Sequence, residues 1–296
     1  MDRLQRINPF ARRESHSPSS VTTYKVLTVL SWLLSAVVTI YYAVEPPRDG
    51  RYHRGTIWHQ NHDYHTGFSL NPVITSIYWL ILLPLQLLYI TDLFSASAEV
   101  VTLACAVGSH FIVNNLLHFA FIMLFVRSHF ILAEVMLLLN FVNLTALYFR
   151  HGTRTFPGRV LVHLPVVSGP LAWTYVAVFW NGAIMVGKAP AEGLAARLLA
   201  NVFVWSLLGW GLFYVLVYRD YTLGFALSLL AASLGVAQFL RQVVALQWIF
   251  AFTIMAVLFL LTMLVAVPAW LGRERPPQAQ TQTQTDAERA PLLAEN

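Results

Sequence analysis

The feature that most restricts how this chain can fold is a series of eight apolar runs. A hydrocarbon layer of about 30 Å needs roughly 20 consecutive apolar residues in a helix, and each run meets that length. The composition agrees, because 57% of the residues are hydrophobic and only 11% are charged, whereas soluble domains carry about a quarter charged residues. We therefore predict an all-α, polytopic transmembrane helical bundle of about eight spans, near residues 24–44, 72–94, 100–126, 129–149, 160–187, 197–218, 221–240 and 246–268.

Polar segments flank this transmembrane domain, which we place at residues 23–270. Residues 1–22 form a basic arm and residues 271–296 form a Gln/Thr/Pro-rich tail, and both compositions are typical of disorder. The net charge of +5 does not indicate nucleic acid here, because the basic residues lie at the ends of the apolar runs. With both termini in the cytosol, twelve of the 19 Lys and Arg residues are cytosolic, which favours that orientation.

Strongly polar side chains interrupt the third and fourth apolar runs. His110, Asn114 and His118 are spaced four residues apart, which places them in one stripe on a helix. Lipid cannot hydrogen-bond such groups, so we expect them to face protein or water. The predicted polar seam, including one histidine of the fifth run, consists of His110, Asn114, Asn115, His118, Glu134, Asn140, Asn143 and His163.

Three functions fit such a seam and stay open at this point. A tight turn between the third and fourth runs places Asn115 and Asn140 at the same depth, which suits a transporter-like or solute-binding protein using spans three to five. The seam also suits a non-catalytic scaffold or sorting protein, in which the polar groups only hold helices together. The third function is an intramembrane enzyme, which requires a hydrogen bond between Glu134 and either His110 or His118. No phosphate-binding, metalloprotease or serine-hydrolase motif is present, so we expect no cofactor.

The loop at residues 45–71 is rich in histidine and lies on the luminal side in this orientation. Neutral imidazoles bind zinc and copper, so His53, His59, His62 and His65 are weak candidates for metal ligands. No thiolate accompanies them, since the single cysteine, Cys105, lies inside a span. A solvated or pH-responsive loop is the alternative interpretation.

The C-terminal tail and the fifth span each carry one further pattern. Glu288, Leu292 and Leu293 resemble the acidic dileucine signal ExxxLL, which predicts a sorting adaptor as partner and a vacuolar or endosomal membrane as location. In the fifth span, Pro165 and Gly169 predict either a kinked helix or a helix broken around a site. The lipid bilayer is the other predicted partner, and the sequence does not indicate an oligomeric state.

Six short segments of the chain are similar to segments that recur in one protein family. They are residues 8–13 (NPFARR), 23–28 (TYKVLT), 68–79 (FSLNPVITSIYW), 108–117 (GSHFIVNNLL), 126–130 (VRSHF) and 148–151 (YFRH). On these segments the chain resembles a fungal family of uncharacterised multi-pass membrane proteins, a domain-of-unknown-function family, most strongly over residues 68–151. The resemblance implies an all-helical integral membrane protein, and it implies no activity, substrate or catalytic residue.

Overall fold

The computed structural model describes residues 10, 17–49, 54–151, 160–186, 194–242 and 246–271. Every regular element within these residues is a helix, which confirms the all-α class. Two π-helical segments, Leu164–Ser168 and Phe213–Val217, accompany the α-helices. In chain order the α-helices are α1 Pro18–Val44, α2 Ile57–Asp63, α3 Pro72–Asp92, α4 Ala98–Phe125, α5 Phe130–His151, α6 Val160–His163, α7 Gly169–Val186, α8 Leu194–Leu212, α9 Tyr221–Arg241 and α10 Gln247–Trp270.

The described chain crosses the bundle eight times. Seven helices are long and apolar enough to cross a membrane: α1, α3, α4, α5, α8 with its π-helical extension, α9 and α10. The eighth crossing is the continuous run of α6, the first π-helical segment and α7. At one end of this run His163 contacts Asp220, and at the other end Trp180 donates to Asn61 in the 45–71 loop. We call the side of the bundle that carries this loop the loop end, and the opposite side the termini end.

The π-helical segment between α6 and α7 is marked by a shifted backbone hydrogen bond. The N–H of Gly169 donates to the Leu164 carbonyl, five residues earlier, instead of to the carbonyl of Pro165. Gln86 of α3 donates to that Pro165 carbonyl at 3.2 Å and so replaces the missing bond. A Cβ on Gly169 would lie 2.8 Å from the Leu164 oxygen, so glycine is required there. The sequence predicts either a kinked or a broken helix here. In the structure, residues 160–186 are helical without a break.

The first helix begins earlier than the sequence predicts. Ser17 accepts a hydrogen bond from the Ser20 N–H, and Pro18 occupies the first helical turn, where its missing N–H leaves no unpaired donor. Residues 18–22, predicted to belong to the disordered arm, are therefore helical. The other predicted boundaries agree with the helix ends to within a few residues.

The loop between α1 and α3 is packed onto the loop end of the bundle and contains the short helix α2. Gln60 of α2 donates to the Ser128 hydroxyl in the turn between α4 and α5 at 2.8 Å. Three backbone carbonyls of the loop also accept hydrogen bonds from side chains of α9 and α10. These bonds join Asn61 to Arg241 at 2.9 Å, Thr66 to Gln238 at 2.9 Å and Gly67 to Gln247 at 2.6 Å.

Candidate functional site: a polar seam and a lateral cavity

The polar side chains of α4 and α5 are turned into the protein, as the sequence predicts. Seven of the predicted seam residues lie on these two helices. Six of them are less than a tenth exposed, and the seventh, Asn143, is partly buried. Midway along the bundle, the Asn140 amide donates to Asn114 Oδ1 at 2.9 Å and lies 3.4 Å from the Thr174 hydroxyl of α7. These contacts place the centre of the seam among α4, α5 and α7.

At the termini end, His110 and Asn143 form a reciprocal pair. The Asn143 amide donates to the His110 carbonyl at 3.0 Å, while Asn143 Oδ1 lies 2.8 Å from His110 Nδ1. An amide oxygen only accepts, so Nδ1 of the imidazole carries the proton and Nε2 is left as an acceptor. The ring of Phe10 packs against His110 at 4.8 Å between ring centres, so a residue of the N-terminal arm covers this end of the seam.

At the loop end, Glu134 is buried against α7. The Asn181 amide donates to Glu134 Oε2 at 2.8 Å and also to the Phe130 carbonyl at 2.9 Å. Gly182 lies beside this carboxyl. A Cβ at position 182 would meet Glu134 Oε1 at an ordinary contact distance of 3.5 Å. Asn181, which is not among the seam residues predicted from the sequence, is thus the partner of Glu134.

His118 contacts α1 and α3, whereas Asn114, one turn earlier on the same helix, contacts α5. Its Nε2 lies 3.1 Å from the Thr39 hydroxyl of α1, and its ring stacks on Trp79 of α3 at 4.7 Å. It lines a cavity of about 180 Å³ bounded by α1, α2, α3, α4 and α7. His118 therefore lines a second site, which lies one turn closer to the loop end of α4 than Asn114 and borders α1 and α3.

His163 is also separate from the seam. It contacts Asp220, in the turn before α9, with 2.8 Å between Nε2 and Oδ2. Burial alone would raise the pKa of Asp220, but His163 and the hydrogen bonds from Thr222 and Leu223 hold that pKa well below its ordinary value. Asp220 is not among the site residues predicted from the sequence. The available signal was its position as an acidic residue immediately before a predicted helix, where Asp commonly caps the N-terminus.

These pairs bear on the enzyme hypothesis. Glu134 pairs with Asn181, His110 pairs with Asn143 and His118 pairs with Thr39. The contact between Glu134 and a histidine, which that hypothesis requires, is therefore not formed in the described part of the chain.

Several atoms of the seam have no hydrogen-bond partner among the described residues. Burying a polar group without a partner is costly, and a membrane-embedded bundle offers no bulk water to replace it. Each such atom in a native structure calls for an explanation such as a ligand or ordered water. The unpartnered seam atoms are His110 Nε2, Asn115 Nδ2, Asn140 Oδ1 and Asn181 Oδ1.

The histidines of the loop do not converge on one point. His59 contacts Asp63 of the same helix at 3.0 Å, and the rings of His62 and His65 lie edge to face at 5.4 Å. Within the described residues, no group of three His, Cys, Asp or Glu side chains could hold a metal ion. His53 lies outside the described residues, as do the sorting residues Glu288, Leu292 and Leu293.

An ion pair links the loop to the turn after α4. Arg127 donates to both carboxylate oxygens of Asp49, at 2.9 and 3.2 Å, and its guanidinium also lies over the Tyr42 ring at 5.6 Å. The hydrogen bond from Arg127 holds the pKa of Asp49 below its ordinary value. Arg127 is thus engaged by Asp49 of the loop.

The fold and the buried polar groups define this chain as a multi-pass α-helical membrane protein with an internal polar seam. Its residues 197–293 match the family described as "Fungal protein of unknown function (DUF1774)". The resemblance to a fungal family of uncharacterised proteins is thereby confirmed, on a segment C-terminal to the residues 68–151 that suggest it most strongly.

A protein of the fission yeast Schizosaccharomyces pombe, described as uncharacterised, is also similar to this chain. The two are 33% identical over 104 residues, which are 35% of this chain and 36% of the yeast protein. The alignment therefore spans about a third of that relative's length. No solved structure matches the chain.

Proposed function

We propose that the protein is transporter-like and binds a small solute along the seam of α4, α5 and α7. The observation that carries the proposal is the set of four unpartnered polar atoms on buried residues, defined above. Interhelical hydrogen bonds in membranes contribute typically about 0.6 kcal/mol each. Holding helices together explains the polar atoms that form such bonds, but it does not explain the four atoms that form none. A solute or ordered water that bonds these atoms removes that cost.

The chemistry of these atoms indicates the class of solute. Three of the four are acceptors, namely His110 Nε2, Asn140 Oδ1 and Asn181 Oδ1, and Asn115 Nδ2 is the one donor. Glu134 adds a carboxyl group at the loop end. No hydrogen bond from a Lys or Arg reaches the seam within the described residues. A site rich in acceptors fits a small solute that donates hydrogen bonds, such as ammonium or a protonated amine.

Cysteine accessibility tests whether solute can reach the seam. The native cysteine is first removed by Cys105→Ala. Single cysteines are then introduced in place of Asn114 or Asn115. Leu116, which is 45% exposed and faces lipid, is replaced in the same way as the control. A water-soluble thiol reagent is expected to modify the first two positions and to spare the third, because it reacts with the thiolate, which forms only where water enters. If neither seam position reacts, the proposal is wrong.

Flux of radiolabelled methylammonium into proteoliposomes tests the class of solute. Glu134→Gln removes the carboxylate and is expected to lower uptake at least tenfold. Gly182→Ala is the matched control, because its Cβ only reaches ordinary contact with the same carboxyl. Uptake in the unaltered protein that is no greater than in empty vesicles overturns the assignment of the solute class.

The location belongs to the same proposal. The ExxxLL pattern formed by Glu288, Leu292 and Leu293 supports a vacuolar or endosomal membrane, and the excess of basic residues supports cytosolic termini. A sorting adaptor that reads the tail is the partner this location implies.

A further inference from the structure

The cavity beside His118 lies at the lipid-facing side of the bundle. Its rim includes Ile40, Val44 and Leu80, all more than half exposed. Its inner wall is formed by buried His118 and Trp173. Because bilayer lipid surrounds the rim in a transmembrane bundle, a molecule that enters between α1 and α3 comes from the lipid phase.

The hydrogen bonds around His118 determine which of its nitrogens carries the proton. The Thr39 hydroxyl donates its single hydrogen to the Ser35 carbonyl at 2.8 Å. The contact of 3.1 Å between Thr39 and His118 Nε2 must therefore have the imidazole as donor. The proton is on Nε2, and Nδ1, which makes no hydrogen bond among the described residues, is an acceptor.

The second polar group of the inner wall is a donor. The indole N–H of Trp173 is buried and has no acceptor among the described residues. Trp173 and His118 both line the cavity, with their ring centres 6.5 Å apart. One unused donor beside one unused acceptor complements a hydroxyl group, which accepts one hydrogen bond and donates one.

The walls of the cavity limit the rest of the ligand. None of the lining residues is charged, which disfavours phosphate and ammonium head groups. Trp58, Trp79 and Trp173 provide flat aromatic surfaces. The volume of about 180 Å³ exceeds the roughly 150 Å³ of an apolar cavity that binds benzene, so one ring-sized group fits inside. Thr39 is five residues from the end of α1, about 7.5 Å along the helix axis, so the polar pair lies near one end of this apolar helix.

We propose that this cavity binds the hydroxyl-bearing ring of a sterol-type membrane lipid, with the hydroxyl between Trp173 and His118 and the remaining rings against α1 and α3. This site is separate from the seam, so it does not depend on the proposed solute binding.

Photo-crosslinking of the full-length protein tests the proposal. The protein is placed in phosphatidylcholine vesicles with a photoactivatable sterol, and labelled peptides are identified. Labelling is expected in α1 and α3, and free sterol is expected to compete. The same sterol with its hydroxyl acetylated is expected to compete at least tenfold less well, the effect of losing about 1.4 kcal/mol.

Variants separate the hydrogen-bonding group from the space it occupies. His118→Phe keeps an aromatic ring beside Trp79 and removes the acceptor, and Ala43→Phe adds bulk to the cavity from α1 while leaving His118 and Trp173 unaltered. Both are expected to lower labelling about tenfold. Trp205→Phe, on the lipid-facing side of α8, is the matched control and is expected to label normally.

Three outcomes would overturn the proposal. The first is equal competition by the acetylated sterol, because the hydroxyl would then be irrelevant. The second is unchanged labelling of Ala43→Phe, which does not depend on the stability of the His118 variant. The third is competition by diacylglycerol but not by sterol, which would assign the cavity to a different lipid.

Discussion

The hydroxyl of Tyr78 donates a hydrogen bond of 2.6 Å to the backbone carbonyl of Gly169, which ties α3 to the start of α7 beside the π-helical segment. We expect Tyr78→Phe to lower the free energy of unfolding by about 0.5–1.5 kcal/mol, the usual net contribution of one hydrogen bond. Tyr175→Phe is the control, because its bond to the Ser206 carbonyl is longer, at 3.3 Å, and only partly buried. Thermal unfolding in detergent measures both. An equal loss in the two variants would contradict the prediction.

Glycine replacements test the close approach at the π-helical segment. In Gly169→Ala the new Cβ would lie 2.7 Å from Leu82 and 2.8 Å from the Leu164 oxygen, so the variant is expected to unfold at a clearly lower temperature. Gly209→Ala lies in a helix with nothing within 4 Å of its Cβ, and it is expected to be neutral or to stabilise by up to about 1 kcal/mol. If Gly169→Ala is as stable as Gly209→Ala, the space around the segment is larger than the structure shows.

The pair of His163 and Asp220 predicts a dependence of stability on pH. The pKa of Asp220 is lowered from 3.8 to about 2, so the carboxylate stabilises the folded protein above about pH 4 and loses this effect as the pH falls towards 2. Asp220→Asn keeps a helix-capping side chain but removes the charge, and it is expected to cost about 2 kcal/mol, since each pKa unit corresponds to about 1.4 kcal/mol. Unfolding measured from pH 2 to pH 7 should show that the variant has lost this dependence.

The exposed ion pair at the loop end provides the control for that experiment. Asp49 is 65% exposed in its pair with Arg127, so Asp49→Asn is expected to lower the stability much less than Asp220→Asn, and by less still at high salt. A larger loss for Asp49→Asn than for Asp220→Asn would reverse the order of importance of the two pairs.

The contact between Asn114 and Asn140 predicts a small coupling energy. A double-mutant cycle with alanine at each position should give about 0.6 kcal/mol, the average measured for such bonds in membranes. The readout is the free energy of unfolding in detergent. A coupling near zero would mean that the bond of 2.9 Å does not contribute to folding, and that the pair is retained for another purpose.

The tail predicts a cellular phenotype that does not involve the bundle. If the proposed sorting signal is read, replacing Leu292 and Leu293 by alanine should change the membrane in which a fluorescently tagged protein accumulates. Leu271→Ala, outside the signal, should leave its location unchanged. An identical distribution of the altered and unaltered proteins would contradict the sorting signal.

The membrane spans follow from the sequence because their length and apolar character are local properties. The pairing inside the seam does not follow as simply. Depth alone matches Asn115 with Asn140, whereas the structure pairs Asn114 with Asn140. Successive residues of a helix differ by about 100° in direction, so the rotation of α4, which depends on packing, decides which asparagine faces α5.

The partners that come from distant spans could not be predicted for a related reason. His163 and Asp220 are 57 residues apart, and His118 and Thr39 are 79 apart. Periodicity within one helix identifies its buried side, but several neighbouring helices can cover that side. A single sequence therefore shows that His118 is buried without showing which helix it meets.

The three hydrogen bonds from α9 and α10 to the loop also have a consequence for biosynthesis. They join residues that are 172, 180 and 180 positions apart, and the donors lie on α9 and α10, which are synthesised long after the loop. The loop can therefore reach its final position only after both of these helices have been translated. Until then the three carbonyls lack their side-chain donors.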